Sequence, residues 1–307
     1  MTLNYSSPAA FAAAIRLRRN KLGPDVTLVI VEGASDTKTF QHFAHPEARS
    51  VPARGKEMVL KAYEELRAEG ESMSLWIVDC DGEVDARWLG KPGLLVSTNR
   101  DVDADLVIEL GSLQRAGREF LGSLYETTSE LDSAASDHAT FAIQFASLFG
   151  SLLGIARAAG LTVKVYDPKL MKRRPLLPSD LAETSTQWAS RLNLPTIEAL
   201  LVALSRQLVW DTDLAQLANE FDARGGKLCR KHQSGNCLSC MARRHANGHY
   251  ILDSLSVSYS SSAGFHISPA EVARASRIAA QADAIEGWEL IARVRLWEAS
   301  TGGRAIA

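Results

Sequence analysis

The sequence Leu75-Trp76-Ile77-Val78-Asp79-Cys80-Asp81-Gly82 is an apolar run that stops abruptly at acidic and turn-forming residues. Such a run is typical of a strand buried in a parallel sheet. A similar run, Leu28–Val31, ends at Glu32, and a third, Leu94–Val96, is followed by the polar segment 98–105. Helical patterns separate the runs, as the crossover connections of parallel strands require. We therefore predict an N-terminal α/β domain with a mostly parallel sheet flanked by helices.

The rest of the chain has a different pattern. Residues 130–160 and 180–222 have helical periodicity, and Ser268-Pro269-Ala270-Glu271 is typical of the capping box that begins a helix. The sequence therefore predicts two domains, residues 1–125 and residues 126–307, of which the second is mainly helical.

The composition is that of a soluble globular protein, with 46% hydrophobic and 23% charged residues among 307. The net charge of −2 excludes a generally basic protein, so any binding to a polyanion must come from local patches. We expect no segment with the run of about 18 apolar residues that spans a membrane, and no secretory signal. The sequence therefore predicts a cytoplasmic protein that has no membrane partner.

Three acidic residues stand where predicted strands end: Glu32, Asp79 and Asp81. Open α/β sheets bind ligands in the crevice beyond the carboxyl ends of their strands. Alternate residues of an extended segment point the same way, so Asp79 and Asp81 can face one ion, and Mg²⁺ prefers such oxygen ligands. Each acid taken singly is more often a helix cap or a turn residue. Their coincidence at several strand ends favours a metal site.

Four short motifs occur in the N-terminal region. They are Val31-Glu32-Gly33 followed by Asp36, Gly55-Lys56 ahead of a helix, Ile77–Asp81, and Thr98–Asp103. Over residues 25–110 they resemble the Toprim domains of the DUF4435 family, which is similar to the nuclease half of the overcoming-lysogenization-defect proteins and includes the effector nuclease of the PARIS anti-phage system. Family members usually carry Glu where Asp103 stands. Gly248-His249 before Ile251-Leu252 is similar to a short C-terminal element of the family.

The resemblance implies a Toprim nuclease that cleaves phosphodiester bonds of DNA or RNA, tRNA among them, with Mg²⁺ or Mn²⁺. It implies Glu32 as general acid/base or metal ligand, and Asp79 and Asp81 as principal ligands. The full set of implied magnesium ligands is Glu32, Asp36, Asp79, Asp81, Asp101 and Asp103. Lys56 is a catalytic candidate that can neutralise a scissile phosphate, and Arg100 is a candidate for nucleic-acid binding, although exposed basic residues are more often simply solvated. The family also implies an anti-phage effector that works with an ATPase partner.

Two other functions fit the same residues. Asp79-x-Asp81-Gly82 after a strand is also the motif of haloacid-dehalogenase-like phosphatases, with Asp79 as nucleophile and Asp81 as acid/base. Against this, Glu83 occupies the position where those enzymes usually have Thr or Ser, and Glu32 has no role in that scheme. The second alternative is a non-catalytic, zinc-stabilised interaction module. The oligomeric state stays open, although a homodimer would suit cutting at paired strands.

Three of the four cysteines lie between positions 229 and 240. Cys229, His232, Cys237 and Cys240 have the paired spacing that tetrahedral Zn²⁺ requires, and His245 or His249 can replace His232 as the fourth ligand. The sequence therefore predicts a small structural zinc knuckle in a loop over residues 227–249.

Basic residues surround the cysteines, and acids are almost absent from this stretch. The candidates for nucleic-acid binding here are Arg230, Lys231, Arg243 and Arg244. Neutralising phosphates with such residues releases counterions and favours binding of a nucleic-acid backbone. A solvated surface, or one that meets an acidic partner protein, is the alternative.

Overall fold

The structure is a computed structural model. It describes residues 5–81, 86–109, 111–160, 164–167, 172–175, 186–207, 219, 246–280 and 287–307. The chain divides into two compact units, of which the first contains residues 1–110 together with 280–307 and the second contains residues 111–279. This differs from the predicted boundary after residue 125, and it assigns the C-terminal segment to the first unit. A helical pattern shows that a helix exists, but it does not show which sheet or bundle the helix covers.

The described elements follow one another as α1 (Pro8–Leu22), β1 (Thr27–Val31), α2 (Ala34–Phe43), β2 (Ala48–Pro52), α3 (Lys56–Ala68), β3 (Ser74–Val78), β4 (Leu94–Val96), α4 (Val102–Glu109), α5 (Ser112–Leu121), α6 (Thr128–Ala158), β5 (Lys164–Asp167), β6 (Lys172–Pro175), α7 (Ile197–Gln207), α8 (Gly248–Ala263), α9 (Pro269–Ala279) and α10 (Glu289–Thr301).

The first unit contains a four-stranded sheet with the order β2-β1-β3-β4. Every pairing is parallel, with Val29 opposite Ser50 on one side and opposite Leu75 on the other. All residues of β1 and β3 are buried, as expected for the central strands of a parallel sheet covered on both faces. The prediction of an α/β fold with a mostly parallel sheet is confirmed.

Alternate residues of the central strands build two separate cores. On one face, Leu28, Ile30, Trp76 and Val78 pack with residues of α1 and α3. On the other face, alternate residues such as Val29 and Ile77 belong to a core with residues of α2, α4 and α10. Since side chains alternate across a strand, the continuous apolar runs serve both faces. Helix α10 is therefore part of the core of the α/β unit, although it comes last in the chain.

The second unit is mainly helical, as predicted, and contains α5 to α9 and a β5–β6 antiparallel pair. The predicted capping box is confirmed at the start of α9, where Ser268 N donates to Glu271 Oε2 at 2.7 Å and Glu271 N donates to Ser268 Oγ at 3.3 Å. Helix α6 corresponds to the helical pattern expected over residues 130–160.

Helix α6 corrects one expectation from the sequence. Among the described residues, the stretch Thr128–Ala156 is the one helix long and apolar enough to cross a membrane. No such segment was expected from the sequence. Of the most apolar part of this helix, 67% is buried inside the protein, as in the core helix of a soluble protein.

Candidate active site

The candidate site lies at the carboxyl ends of β1 and β3, the two neighbouring strands between which the order of strands in the sheet reverses. Strand β1 lies between β2 and β3, so the connections that leave the carboxyl ends of β1 and β3 run to opposite sides of the sheet. A crevice forms at such a switch point, and it is the usual ligand site of open α/β sheets. Glu32 follows β1 directly and Asp79 follows β3 directly. The structure therefore brings the two acids to the same end of two neighbouring strands.

Glu32 and Asp79 are in direct contact. The backbone amide of Asp79 donates a hydrogen bond to Glu32 Oε1 at 2.7 Å. The carbonyl of Glu32 accepts from the amides of Arg54 and Gly55 at 2.8 and 2.9 Å, so the loop before α3 closes around the same residue. Gly55 has a φ of 116°, a backbone conformation that other residues rarely adopt. This loop places Lys56 at the first position of α3.

Lys56 extends from the start of α3 to the segment that follows β3. Its Nζ donates to the carbonyl of Asp79 and forms an ion pair with Asp81 Oδ2 at 3.1 Å. Asp81 has a φ of 53°, in the left-handed region that is uncommon for residues other than glycine. Its side chain is half exposed, whereas that of Lys56 is mostly covered. A cationic side chain therefore lies against two of the predicted catalytic acids.

The turn after β4 also contacts the segment that follows β3. We call this turn, residues 97–101, the β4–α4 turn. Val102 N donates to Asp79 Oδ1 at 3.1 Å, and Asp81 N donates to the carbonyl of Arg100 at 2.8 Å. Asp101 caps α4, where its Oδ1 accepts from Ala104 N at 2.7 Å. Arg100 is partly buried, and its Nε has no hydrogen-bond partner among the described residues.

Burial and neighbouring charges disfavour the ionised form of both central acids. Burial raises the pKa of Asp79 to about 9, and the negative charges of Asp36, Asp101 and Glu32 contribute to the shift. Burial also raises the pKa of Glu32 to about 7, and the Asp81 and Asp36 charges act in the same direction. The hydrogen bond from Asp79 N and the charge of Lys56 partly oppose that rise. These carboxyl groups therefore form one electrostatically coupled cluster.

The two remaining predicted magnesium ligands have different surroundings. Asp36 lies in the first turn of α2, where its Oδ2 accepts from Gly33 N at 2.8 Å, and its charge still influences Glu32 and Asp79. Asp103 is buried in the first turn of α4 and accepts from two hydroxyls of α2, Ser35 Oγ at 2.7 Å and Thr39 Oγ1 at 3.4 Å. Both oxygens of Asp103 are thus engaged in joining α4 to α2.

The acid cluster fits a hard cation by its chemistry. Across the described ranges, no group of three or more His, Cys, Asp or Glu side chains is already arranged to hold a metal ion. Mg²⁺ often binds through only one or two protein carboxylates, with waters and substrate phosphates completing its shell. Glu32 and Asp79 supply two partly buried carboxyl groups whose charged forms disfavour each other, and a cation would relieve that repulsion.

The predicted zinc site and its basic surroundings lie outside the described residues. This applies to Cys229, His232, Cys237, Cys240 and His245, and to Arg230, Lys231, Arg243 and Arg244. His249, the other candidate ligand, is described: it is exposed in the first turn of α8, and its amide donates to Asn247 Oδ1 at 3.0 Å.

Two residues that hold the β4–α4 turn in place, Ser97 and Asp105, were not among the site residues predicted from the sequence. Ser97 Oγ accepts from Cys80 N at 2.8 Å and donates to the carbonyl of Asn99 at 2.9 Å. Asp105 accepts from the amides of Thr98 and Asn99 at 2.9 and 2.5 Å. Asp105 was visible in the sequence as one acid of an acid-rich turn, but its spacing did not distinguish it from its neighbours.

The chain matches no protein-family model and no curated protein. The resemblance to the DUF4435 Toprim domains therefore stays a prediction from four short motifs.

Proposed function

We propose that this protein is a metal-dependent nuclease of the Toprim type, which hydrolyses phosphodiester bonds of DNA or RNA. The observation that carries the proposal is the contact between Glu32 and Asp79 at the switch point of the parallel sheet. Partly buried carboxyl groups with raised pKa values and a nearby cationic side chain are typical of catalytic sites.

Three side chains of the site suit the chemistry of a phosphodiester. With a pKa of about 7, Glu32 can both accept and donate a proton near neutral pH, as a general acid/base must. Lys56 can leave its ion pair with the half-exposed Asp81 to bind a phosphate oxygen, because that pair is partly open to solvent. Arg100, whose Nε has no partner within the described part of the chain, is a second candidate for contact with the substrate backbone.

Asp79 and Asp81 would hold the metal ion, and Glu32 beside them would serve as the general acid/base. When bound, Mg²⁺ or Mn²⁺ polarises a phosphoryl oxygen and lowers the pKa of a coordinated water. In the protein, the carboxyl groups must lose their protons for the ion to bind, so metal affinity rises with pH. Asp36 and Asp101 contribute charge to the cluster while capping their own helices.

The hydrogen bond between Glu32 and Asp79 favours the nuclease over the phosphatase. A haloacid-dehalogenase-like scheme needs Asp79 and Asp81 but has no role for Glu32. Here the side chain of Glu32 contacts the backbone of Asp79, and its charged form is coupled to Asp81. The partner ATPase, the role in anti-phage defence, the structural Zn²⁺ and the basic patch around it are parts of the proposal supported by the motifs of the sequence alone.

The test is incubation of the purified protein with labelled duplex DNA, single-stranded DNA and total tRNA, with Mg²⁺, Mn²⁺ or EDTA. Asp79→Asn and Glu32→Gln preserve side-chain shape, and we expect each to abolish metal-dependent cleavage. Asp25→Asn, an exposed change of the same charge, is the matched control. Hydrolysis of a phosphomonoester that needs Asp79 but not Glu32 would instead support the phosphatase. Mn²⁺ binding unaffected by Asp79→Asn would overturn the proposed metal site.

A further inference from the structure

The last segment of the chain contacts the turn that borders the acid cluster. Trp288 directly precedes α10 and is 0% exposed. Its indole Nε1 donates to Asp105 Oδ2 at 3.2 Å, which joins two residues that are 183 positions apart in the sequence. The ring lies beside Phe40 and Phe43, with centroids 6.3 and 6.2 Å away. This aromatic packing restricts the indole, so its only donor keeps a defined direction.

Asp105 transmits this contact to the backbone of the β4–α4 turn. Its side chain is 0% exposed, and its two oxygens accept from three donors. Oδ1 accepts from Asn99 N, and Oδ2 accepts from both Thr98 N and the indole of Trp288. A buried carboxylate with several donors has little freedom to move, because every displacement leaves a polar group unsatisfied.

The β4–α4 turn in turn contacts the catalytic candidates. Arg100 O accepts from Asp81 N, and Val102 N donates to Asp79 Oδ1. Arg293 of α10 supports the same turn, since its guanidinium donates to the carbonyl of Val96 at 2.6 Å and to Thr98 Oγ1 at 3.4 Å. A continuous series of hydrogen bonds therefore connects the C-terminal segment to the two acids.

We propose that Trp288 is a positioning residue, which acts through Asp105 to hold the β4–α4 turn where Asp79 and Asp81 can bind a divalent cation. The inference rests on the proposed function for its effect on the cation, but the effect on the turn is independent of any activity. Groups that orient metal ligands from outside the coordination shell are worth on the order of 10–100-fold in metal affinity.

The test compares two tryptophan variants of the full chain. Trp288→Phe removes the indole donor and keeps an aromatic ring. Trp297→Phe is the matched control, because Trp297 is also buried, at 6% exposure, and its Nε1 has no hydrogen-bond partner among the described residues. Both variants lose similar packing. We expect Trp288→Phe alone to weaken Mn²⁺ binding by about tenfold or more, and to accelerate hydrogen exchange at the amides of Thr98 and Asn99.

Asp105→Asn provides a second variant if Trp288→Phe fails to fold. It keeps one acceptor oxygen and removes the other. Where Trp288→Phe folds, the double variant should lose no more Mn²⁺ affinity than the more severe single variant, because the effects of two residues that act through one bond are not additive. Equal Mn²⁺ affinity and equal exchange in the two tryptophan variants would overturn the positioning role. Wild-type Mn²⁺ binding by Asp79→Asn would overturn the proposed function, and the exchange comparison would still decide the role of Trp288.

Discussion

Glu32 Oε1 accepts a hydrogen bond from the backbone amide of Asp79 at 2.7 Å, and this bond joins the ends of two neighbouring parallel strands. The charge of Glu32 raises the pKa of Asp79, in addition to the larger effect of burial. An arrangement of this kind destabilises the metal-free protein unless a proton or a cation neutralises it. The consequences can be measured both on stability and on chemistry.

The contribution of Asp79 to the stability of the metal-free protein should fall as the pH rises. The pKa of Asp79 is about 9 in the folded state and about 3.9 in an unfolded chain. The stabilising contribution of the protonated group is therefore fully present below about pH 3.9 and is lost as the pH rises through about 9. With increasing pH, the unfolding free energy of Asp79→Asn should rise relative to that of the wild type, by at most about 1.4 kcal/mol per pH unit. Urea unfolding in EDTA from pH 4 to 9 measures the difference.

The control for this prediction is Asp25→Asn, which removes the same charge from an exposed loop. Its unfolding free energy should run parallel to that of the wild type. Adding Mg²⁺ at pH 8 should stabilise the wild type more than Asp79→Asn, because a ligand of the folded state shifts unfolding by mass action. Identical pH profiles for the wild type and Asp79→Asn would contradict the raised pKa.

Replacing Lys56 should separate catalysis from metal binding. Lys56→Met removes the cation that pairs with Asp81. The cleavage rate should fall about 100-fold, because the loss of one donor to the negative charge of a transition state has an effect of this size. Mn²⁺ binding should strengthen, because a competing cation has gone. Lys61→Met on the same helix is the control, since Lys61 pairs with Glu57 in solvent and should change neither quantity. Weaker Mn²⁺ binding in Lys56→Met would show that Lys56 does not compete with the ion.

Ser97 should matter for stability more than its size suggests. Ser97→Ala removes both a buried acceptor for Cys80 N and a donor to the carbonyl of Asn99, at a cost of about 1–3 kcal/mol. Ser300→Ala removes an exposed hydroxyl that bonds only to its own helix, and should change the unfolding free energy by about 0.5 kcal/mol or less. Chemical unfolding at pH 7 compares them, and equal effects would argue against the proposed hydrogen bonds of Ser97.

His138 of α6 should limit stability in acid. It is 2% exposed, and its ring nitrogens contact Ser258 Oγ and Ser262 Oγ of α8. Burial lowers its pKa to about 4, although the nearby Asp137 opposes the shift. Because the folded pKa lies below the unfolded value of about 6.5, its contribution is fully present above pH 6.5 and is lost as the pH falls through about 4.

The variant His138→Gln tests this. The stability difference between wild type and variant should be largest above pH 6.5 and should shrink toward pH 4. His266→Gln, which changes an exposed histidine, should leave the profile unchanged. A difference that stays constant across this range would mean that His138 does not titrate with a depressed pKa.

The central strands could be predicted closely from the sequence. The apolar runs at residues 28–31, 75–78 and 94–96 agree with β1, β3 and β4, because burial of a strand on both faces leaves a continuous hydrophobic signal. The extent of each domain could not be predicted in the same way. Helix α10 covers one face of the sheet, but its pattern is that of any amphipathic helix.

The candidate site was predictable where its residues directly follow strands. Glu32 and Asp79 are adjacent because the ends of parallel strands meet at one edge, so the fold class was enough to bring them together. Asp103 and Asp105 lie in the first turn of a helix and leave nearly opposite faces of it, but their positions in the sequence do not show which elements those faces meet. Asp103 turns to the hydroxyls of α2 and Asp105 to the β4–α4 turn.

Local patterns in the chain were thus sufficient for the parallel sheet, the strand-end acids and the capping box of α9, because apolar runs, the acids that directly follow them and the residues of a helix cap are close to one another in sequence. Packing between distant segments settled the rest. The bond from Trp288 to Asp105 and the pKa values of Glu32 and Asp79 arise from groups that only the folded chain brings together, in surroundings that exclude water. Hydrogen-bond direction and desolvation depend on that three-dimensional environment, and no spacing in the sequence encodes them.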